Sequence, residues 1–128
     1  MKITCEISIG ELIDKISILK IKETKLTDKD LIKEVKNEKK ELLLTLSNLN
    51  LDREIIDPIL KNLTKVNSLL WDIEDNLRNF EKLGKFDDVF VENARKVYKL
   101  NDERFSLKNT LNLKFNSNIK EVKSYEKY

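Results

Sequence analysis

Glu11 and Asp14 stand three residues apart in GELIDK (10–15), and Glu74, Asp75 and Arg78 crowd into LWDIEDNLR (70–78). On helices, carboxylates at these spacings share a face and suit two kinds of chemistry. They can hold a hard divalent cation, which takes several oxygen ligands, or they can neutralise cations brought in by a neighbouring element. The stretch VYKLNDERFSLKNTLN (97–112) supplies such cations. If Phe90, Ala94 and Val97 form the buried stripe of a helix with ~3.6 residues per turn, the stripe continues through Asn101, Arg104, Lys108 and Leu111. Three polar side chains thus occupy apolar places, with Asp102 and Asn112 beside them. An unpaired buried charge is strongly destabilising. Arg104 and Lys108 must therefore meet acids from another element, or open onto solvent, a ligand or a second subunit.

Each signal also has an ordinary structural reading. Glu11 completes a capping box with Ser8, and Asp14 is favoured electrostatically near a helix N-terminus. Glu74 and Arg78, four apart, match a surface ion pair worth ~0.2–0.5 kcal/mol. Trp71 beside them serves as a packing anchor or as one wall of a pocket. Asn101 by itself can set helix register, and the second half of its helix can simply emerge from the core. The run Asn101, Arg104, Lys108 is longer than register requires, and it reads as one wall of a polar cleft. The candidate ligand-binding residues are Glu11, Asp14, Lys15, Glu74, Arg78, Asn101, Asp102, Arg104 and Lys108.

Composition narrows the chemistry. The sequence contains no histidine, which removes the commonest general base and the commonest zinc ligand. Twenty-five basic and 23 acidic residues leave a net charge of +2 in a chain of 128. With no strongly basic face and no basic amphipathic helix, nucleic acid and membrane surfaces are not expected partners. Lysine outnumbers arginine by 21 to 4, a bias of coding composition more than of chemistry. The single cysteine, Cys5, allows no intrachain disulfide and no thiolate metal cluster. No stretch approaches the ~18 apolar residues of a membrane span. MKITCEISIG carries Glu6 and lacks the apolar run of a signal peptide, so a cytoplasmic protein is expected.

The elements that must position these residues are helical. Apolar residues make up 40% of the chain, charged residues 38% against ~25% in ordinary domains, and only two Gly and one Pro interrupt it. A single all-α domain of four main helices follows. ITCEI (3–7) alternates as a short strand or extended arm would. SIGE (8–11) opens a first helix running to about Lys25, with Ile9, Leu12, Ile13, Ile16 and Leu19 on one face. Ile18 and Ile21 lie on the other side, as in a helix covered twice. A second helix begins near Thr27 with Leu31, Val35, Leu42, Leu46 and Leu49 as its stripe, and SNLNLDREI (47–55) breaks it. Asp57-Pro58 signals the start of the third. There Ile59, Leu63, Val66, Leu70, Ile73, Leu77 and Phe80 recur at spacings of four and three, a coiled-coil-like seam. Gly84 caps it, and Asp87 or Asp88 starts a fourth helix to about Phe115. So short a connection makes helices three and four an antiparallel hairpin. The charged tail contains Ile119, Val122 and two tyrosines, which would let it dock.

SIGELIDKISIL (8–19), LWDIEDNLRNFE (70–81), FVENARKVYKLNDERFSLKNTLN (90–112) and EVKSY (121–125) resemble sequence blocks of a family of short, all-helical bacterial and phage proteins. That family, of roughly 120 residues, is classed only as a domain of unknown function, with members among cell-surface polysaccharide genes. The resemblance places distinctive residues at Gly10, Glu11, Asp14, Lys15, Trp71, Glu74, Asp75 and Arg78. Further along it marks Arg95, Tyr98, Asn101, Asp102, Arg104, Lys108, Glu121, Lys123, Ser124 and Tyr125. Lys20 departs from the acid expected there. The resemblance implies that these polar residues belong together and that the tail has a role, and it implies no reaction.

Two functions follow as expectations. The first is a non-catalytic binding or adaptor protein without cofactor, self-associating, whose cleft takes an anionic small molecule or a partner's acidic segment through Arg104, Lys108 and Arg78. The second is a Mg²⁺-dependent hydrolase of a nucleotide or sugar phosphate, with Glu11, Asp14, Glu74 and Asp75 holding the metal. Its helical carboxylates resemble, with a poorly matched motif, those of all-α nucleoside triphosphate pyrophosphatases. Either way, the acidic face of the first helix (Glu11, Asp14) is expected near the polar wall of the fourth (Asn101, Arg104, Lys108).

Overall fold

Ser8 begins the first helix as its spacing predicts: its hydroxyl accepts from the Glu11 amide at 3.1 Å. In the computed structural model, which describes residues 1–128, the regular elements are α1 (Ile9–Lys25), α2 (Lys29–Asn48), α3 (Arg53–Leu83) and α4 (Asp88–Lys114). Asp28 caps α2 and Asp87 caps α4 through the amides of their first turns. Gly84 closes α3 with φ 63°, a left-handed conformation that glycine adopts without strain. The arm ahead of α1 is extended and forms no strand.

α1 is the central helix, in contact with α2, α3 and α4, while α2 rests on α1 alone. The most extensive contact joins α3 to α4, the expected hairpin. The core gathers Ile9, Leu12, Ile13 and Ile16 from α1, Leu46 from α2, Ile56, Leu60 and Leu63 from α3, and Leu111 from α4. Each such side chain contributes roughly 1.5–3 kcal/mol on burial. α1 can be covered on two faces because Ile21 is buried as well as the Ile9–Leu19 stripe.

Two expectations about the helices are corrected. α3 starts at Arg53 under an Asp52 cap, five residues before Pro58. The extra turn carries Ile56 into the core at 0% exposure, and that burial offsets the backbone hydrogen bond that Pro58 cannot donate. Along the expected α2 stripe, Leu31 and the C-capping Leu49 are exposed instead of buried, because a helix supported by one neighbour has only part of its stripe covered.

Burial is also uneven along the hairpin. The last buried residue of α3 is Ile73 and the next buried residue in the chain is Lys108. Within this span Arg104 and the cleft-lining Glu74, Asp75 and Arg78 still face α1, and beyond them the hairpin runs on to Phe80, Phe86 and Phe90, stacked edge to face.

Candidate functional site

The side of α1 that meets α3 and α4 carries Gly10, Asp14 and Ser17, at positions i, i+4 and i+7. Small and polar residues in this stripe let α4 approach closely. A Cβ on Gly10 would lie 2.6 Å from the Lys108 carbonyl oxygen. The Gly10 amide instead donates to Asn112 Oδ1 at 2.8 Å, and the Ile9 amide donates to Ser117 Oγ at 3.0 Å. These bonds satisfy the first amides of α1 with groups from the end of α4, and so fix the register between the two helices.

One turn further along, the Asp14 carboxylate is enclosed, its side chain 1% exposed. Arg104 grips it in a two-pronged pair, Nε to Oδ1 at 3.0 Å and Nη2 to Oδ2 at 2.6 Å. Asn67 of α3 donates to Oδ1 at 2.9 Å and to Ser17 Oγ at 2.7 Å, and the Ser17 hydroxyl donates to the Asp14 carbonyl at 2.6 Å. Three helices are thereby tied by one carboxylate. Burial pushes the Asp14 carboxyl up, but the hydrogen bonds from Arg104 and Asn67 outweigh it and hold the group below the usual carboxylate range. The same hydrogen bond to Asp14 raises Arg104.

Lys108 forms the adjoining layer. Its ammonium lies 2.9 Å from Glu11 Oε2, 2.7 Å from Glu121 Oε2 and 4.0 Å from Asp14 Oδ2. Burial lowers its pKa, and the carboxylates of Glu121 and Glu11 more than reverse that, leaving it raised. Glu11 therefore does half of what the capping-box motif predicts. Its amide meets Ser8, but its carboxylate turns to Lys108.

Glu121 belongs to the tail, which docks along α4. Lys123 sits over the ring of Phe105 at 5.4 Å, the Tyr128 ring packs edge to face on Tyr98, and the Tyr128 hydroxyl donates to Asp102 at 2.6 Å. That bond to Asp102 pushes the Tyr128 phenol up to about 12.

Beyond the Asp14 layer, α1, α3 and α4 enclose an open cleft of about 460 Å³. Ile18, Ile21 and Leu70 give it an apolar side, Trp71 an aromatic wall, and Asn67, Glu74, Asp75, Arg78, Asn101 and Arg104 its polar lining. Glu74 and Arg78 do not form the surface ion pair that their spacing allows, and neither they nor Asp75 has an oppositely charged partner within 4 Å. Asn101 bonds back to the Val97 carbonyl of its own helix at 3.1 Å, so it ties no second helix.

The residues singled out from the sequence thus fall into three places. Asp14, Arg104, Lys108 and Glu11 form the buried ionic layers. Glu74, Asp75, Arg78 and Asn101 line the cleft with Arg104. Asp102 lies under the tail, and Lys15 is exposed beside a groove lined by the N-terminal arm. Glu11, Asp14, Glu74 and Asp75 do not converge, and no three His, Cys, Asp or Glu side chains are gathered as a metal site. Ser17 and Ser117 escaped sequence reasoning, and Tyr128 entered it only as one of the two tail tyrosines. The signal for Ser17 was present in its seven-residue spacing from Gly10, whereas nothing local marks Ser117.

No helix is long and apolar enough to cross a membrane. The sequence model of a family of unknown function (DUF6165) matches residues 1–128. No curated protein and no solved structure matches the chain.

Proposed function

The chain belongs to this family of unknown function, and we propose that it is a non-catalytic binding or adaptor module. Its cleft between α1, α3 and α4 takes an anionic small molecule or an acidic segment of a partner protein. The observation that carries this reading is the state of the two arginines. Arg78 lines the cleft without a carboxylate partner, and Arg104 spends Nε and Nη2 on Asp14, which leaves Nη1 without a protein acceptor. A planar guanidinium held in place by a buried carboxylate is well suited to recognise carboxylate or phosphate oxygens. Trp71 and the apolar side offer contact area for the rest of the ligand.

Lys108 supports the site from behind. It is already matched by Glu11 and Glu121, so it fixes α4 and the tail instead of meeting the ligand. Asp14 plays the corresponding part for Arg104. A carboxylate so fully committed to an arginine and an asparagine has little left to offer a metal ion, which favours binding over metal-assisted hydrolysis. Two-dimensional NMR titration with inorganic phosphate, citrate and a poly-glutamate peptide tests the proposal. Saturable shifts at Trp71 and at the Arg78 and Arg104 side chains are expected. Shifts spread evenly over the lysine-rich surface, with none at these residues, would overturn it.

A further inference from the structure

We infer that the arm ahead of α1 pairs with the same arm of a second copy of this chain, as an antiparallel two-stranded ribbon laid along the groove beside it. Residues 1–7 are exposed throughout, and their amides and carbonyls make no main-chain hydrogen bond. Consecutive residues from Ile3 to Ile7 line one side of a groove of about 770 Å³. Successive side chains of an extended segment point to opposite faces, so a groove bordered by all of them runs along the arm's edge. That edge carries the free main-chain groups. The far side of the groove is apolar, with Leu42, Leu49 and Leu51 in and just after α2 and Phe115 at the end of α4. A free edge over an apolar floor is the arrangement to which an extended segment adds as a strand.

The arm's own residues select the occupant. As a strand it sets Ile3, Cys5 and Ile7 on one face and Lys2, Thr4 and Glu6 on the other. Two arms paired parallel and in register would place Lys2 on Lys2 and Glu6 on Glu6, and like charges directly opposite destabilise a sheet. An antiparallel pair centred on Thr4 sets Lys2 of each copy against Glu6 of the other, twice by two-fold symmetry. It also places Thr4 opposite Thr4 and Ile3 opposite Cys5, which keeps the polar and apolar faces separate. Centring on Cys5 would lose both ion pairs and bring Lys2 opposite Ser8, which is committed to capping α1. The charged residues lining the groove, Glu6 and Lys15, are opposite in sign, so the groove favours neither an acidic nor a basic partner. A two-stranded ribbon alone is marginal in water. Here its apolar face has a floor to cover: Ile3 is 79% and Leu49 49% exposed in the single chain. A contact this short belongs to the small class, below about 1,200 Å² in total, so association is concentration-dependent.

Sedimentation velocity of the full chain over a concentration series tests the inference. The expected result at low salt is a reversible shift from the 15.1 kDa monomer toward twice that mass. Glu6→Lys is expected to abolish the shift, and Lys2→Glu combined with Glu6→Lys to restore it, because the facing charges are again opposite. Both positions lie in the exposed arm, so the helical circular-dichroism signal should not change. The register is read by cross-linking. Thr4→Cys in a Cys5→Ser chain should form a disulfide-linked dimer under mild oxidation faster than the wild-type chain does through Cys5, which lies opposite Ile3. A wild-type chain that stays monomeric up to about 1 mM would overturn the inference. So would a dimer that Glu6→Lys leaves intact, or one that cross-links faster through Cys5.

Discussion

Asp14 and Arg104, ninety positions apart, meet in a two-pronged ion pair whose carboxylate is withdrawn from solvent and whose guanidinium reaches the cleft. The pair joins the centre of α1 to the middle of α4, and Asn67 brings α3 to the same carboxylate. Structure and candidate function thus share a single group. Asp14 holds the helices together and also presents Arg104 to whatever enters the cleft.

Removing one member of this pair strands the other. Asp14→Ala is expected to destabilise the fold by about 3 kcal/mol, the lower end for breaking a buried pair, because Arg104 keeps some access to water. Replacing both, as Asp14→Leu with Arg104→Met, is expected to recover most of that loss, since no charge is then left unpaired. Urea denaturation of the two variants checks both statements. A double variant no more stable than Asp14→Ala would show that the pair does more than neutralise itself.

The same carboxylate sets a pH dependence. Its folded pKa lies below the ordinary 3.8, so its stabilising contribution is complete above that value. The contribution is lost as pH falls through the lowered folded pKa, where the unfolded chain binds a proton that the folded chain does not. The stability difference between wild type and Asp14→Asn should therefore be full near neutrality and narrow below about pH 4. A difference that stays constant into that acid range would contradict this assignment.

Gly10→Ala offers a test with an unusual sign. In an exposed helix interior the change stabilises by up to ~1 kcal/mol. Here the new methyl meets the Lys108 carbonyl at 2.6 Å and Asn112 Oδ1 at 2.9 Å. A backbone oxygen cannot swing aside, so α4 must shift, and a loss of roughly 1–3 kcal/mol is expected. Thermal unfolding should show a lower midpoint; a higher one would mean that α1 and α4 are less tightly apposed.

The tail is read by its last tyrosine. Of Tyr98, Tyr125 and Tyr128, the last should ionise near 12 while it donates to Asp102. Asp102→Ala should return it toward 10, which ultraviolet absorbance during alkaline titration would resolve. Deleting residues 119–128 takes Glu121 from Lys108 and leaves Glu11 as the closest remaining acid. Amide exchange should then rise at the end of α4, and unchanged exchange would mean that the tail contributes nothing to that helix.

In the cleft, Arg78→Ala is expected to weaken phosphate or citrate binding tenfold or more, by losing a charge-assisted hydrogen bond worth about 1.5–3 kcal/mol. Stability should change little, because Arg78 is exposed and unpaired. Unaltered titration curves would remove Arg78 from the site.

Much of this architecture is written in local sequence. The spacing of apolar residues specifies four helices, the Ser8, Asp87 and Gly84 boundaries follow from hydrogen-bond chemistry at helix ends, and the short link from α3 to α4 makes a hairpin. Charge in an apolar stripe likewise leaves Arg104 either an acid from another element or an opening, and the fold supplies Asp14 as the acid. These inferences succeed because periodicity and capping act over a few residues, and because an unpaired buried charge is intolerable in any fold. The tertiary structure alone decided the rest. Only packing shows that α1 is central, that Pro58 sits inside α3 because Ile56 is needed in the core, and that Glu11 leaves its cap for Lys108. Only packing, too, divides the polar residues between a spent ionic layer and a cleft with unpaired charge. A helical projection gives the face a side chain occupies. How many partners it meets there is set by groups distant in sequence, such as Asn67 and Glu121, and these reach Asp14 and Lys108 only when the chain has folded.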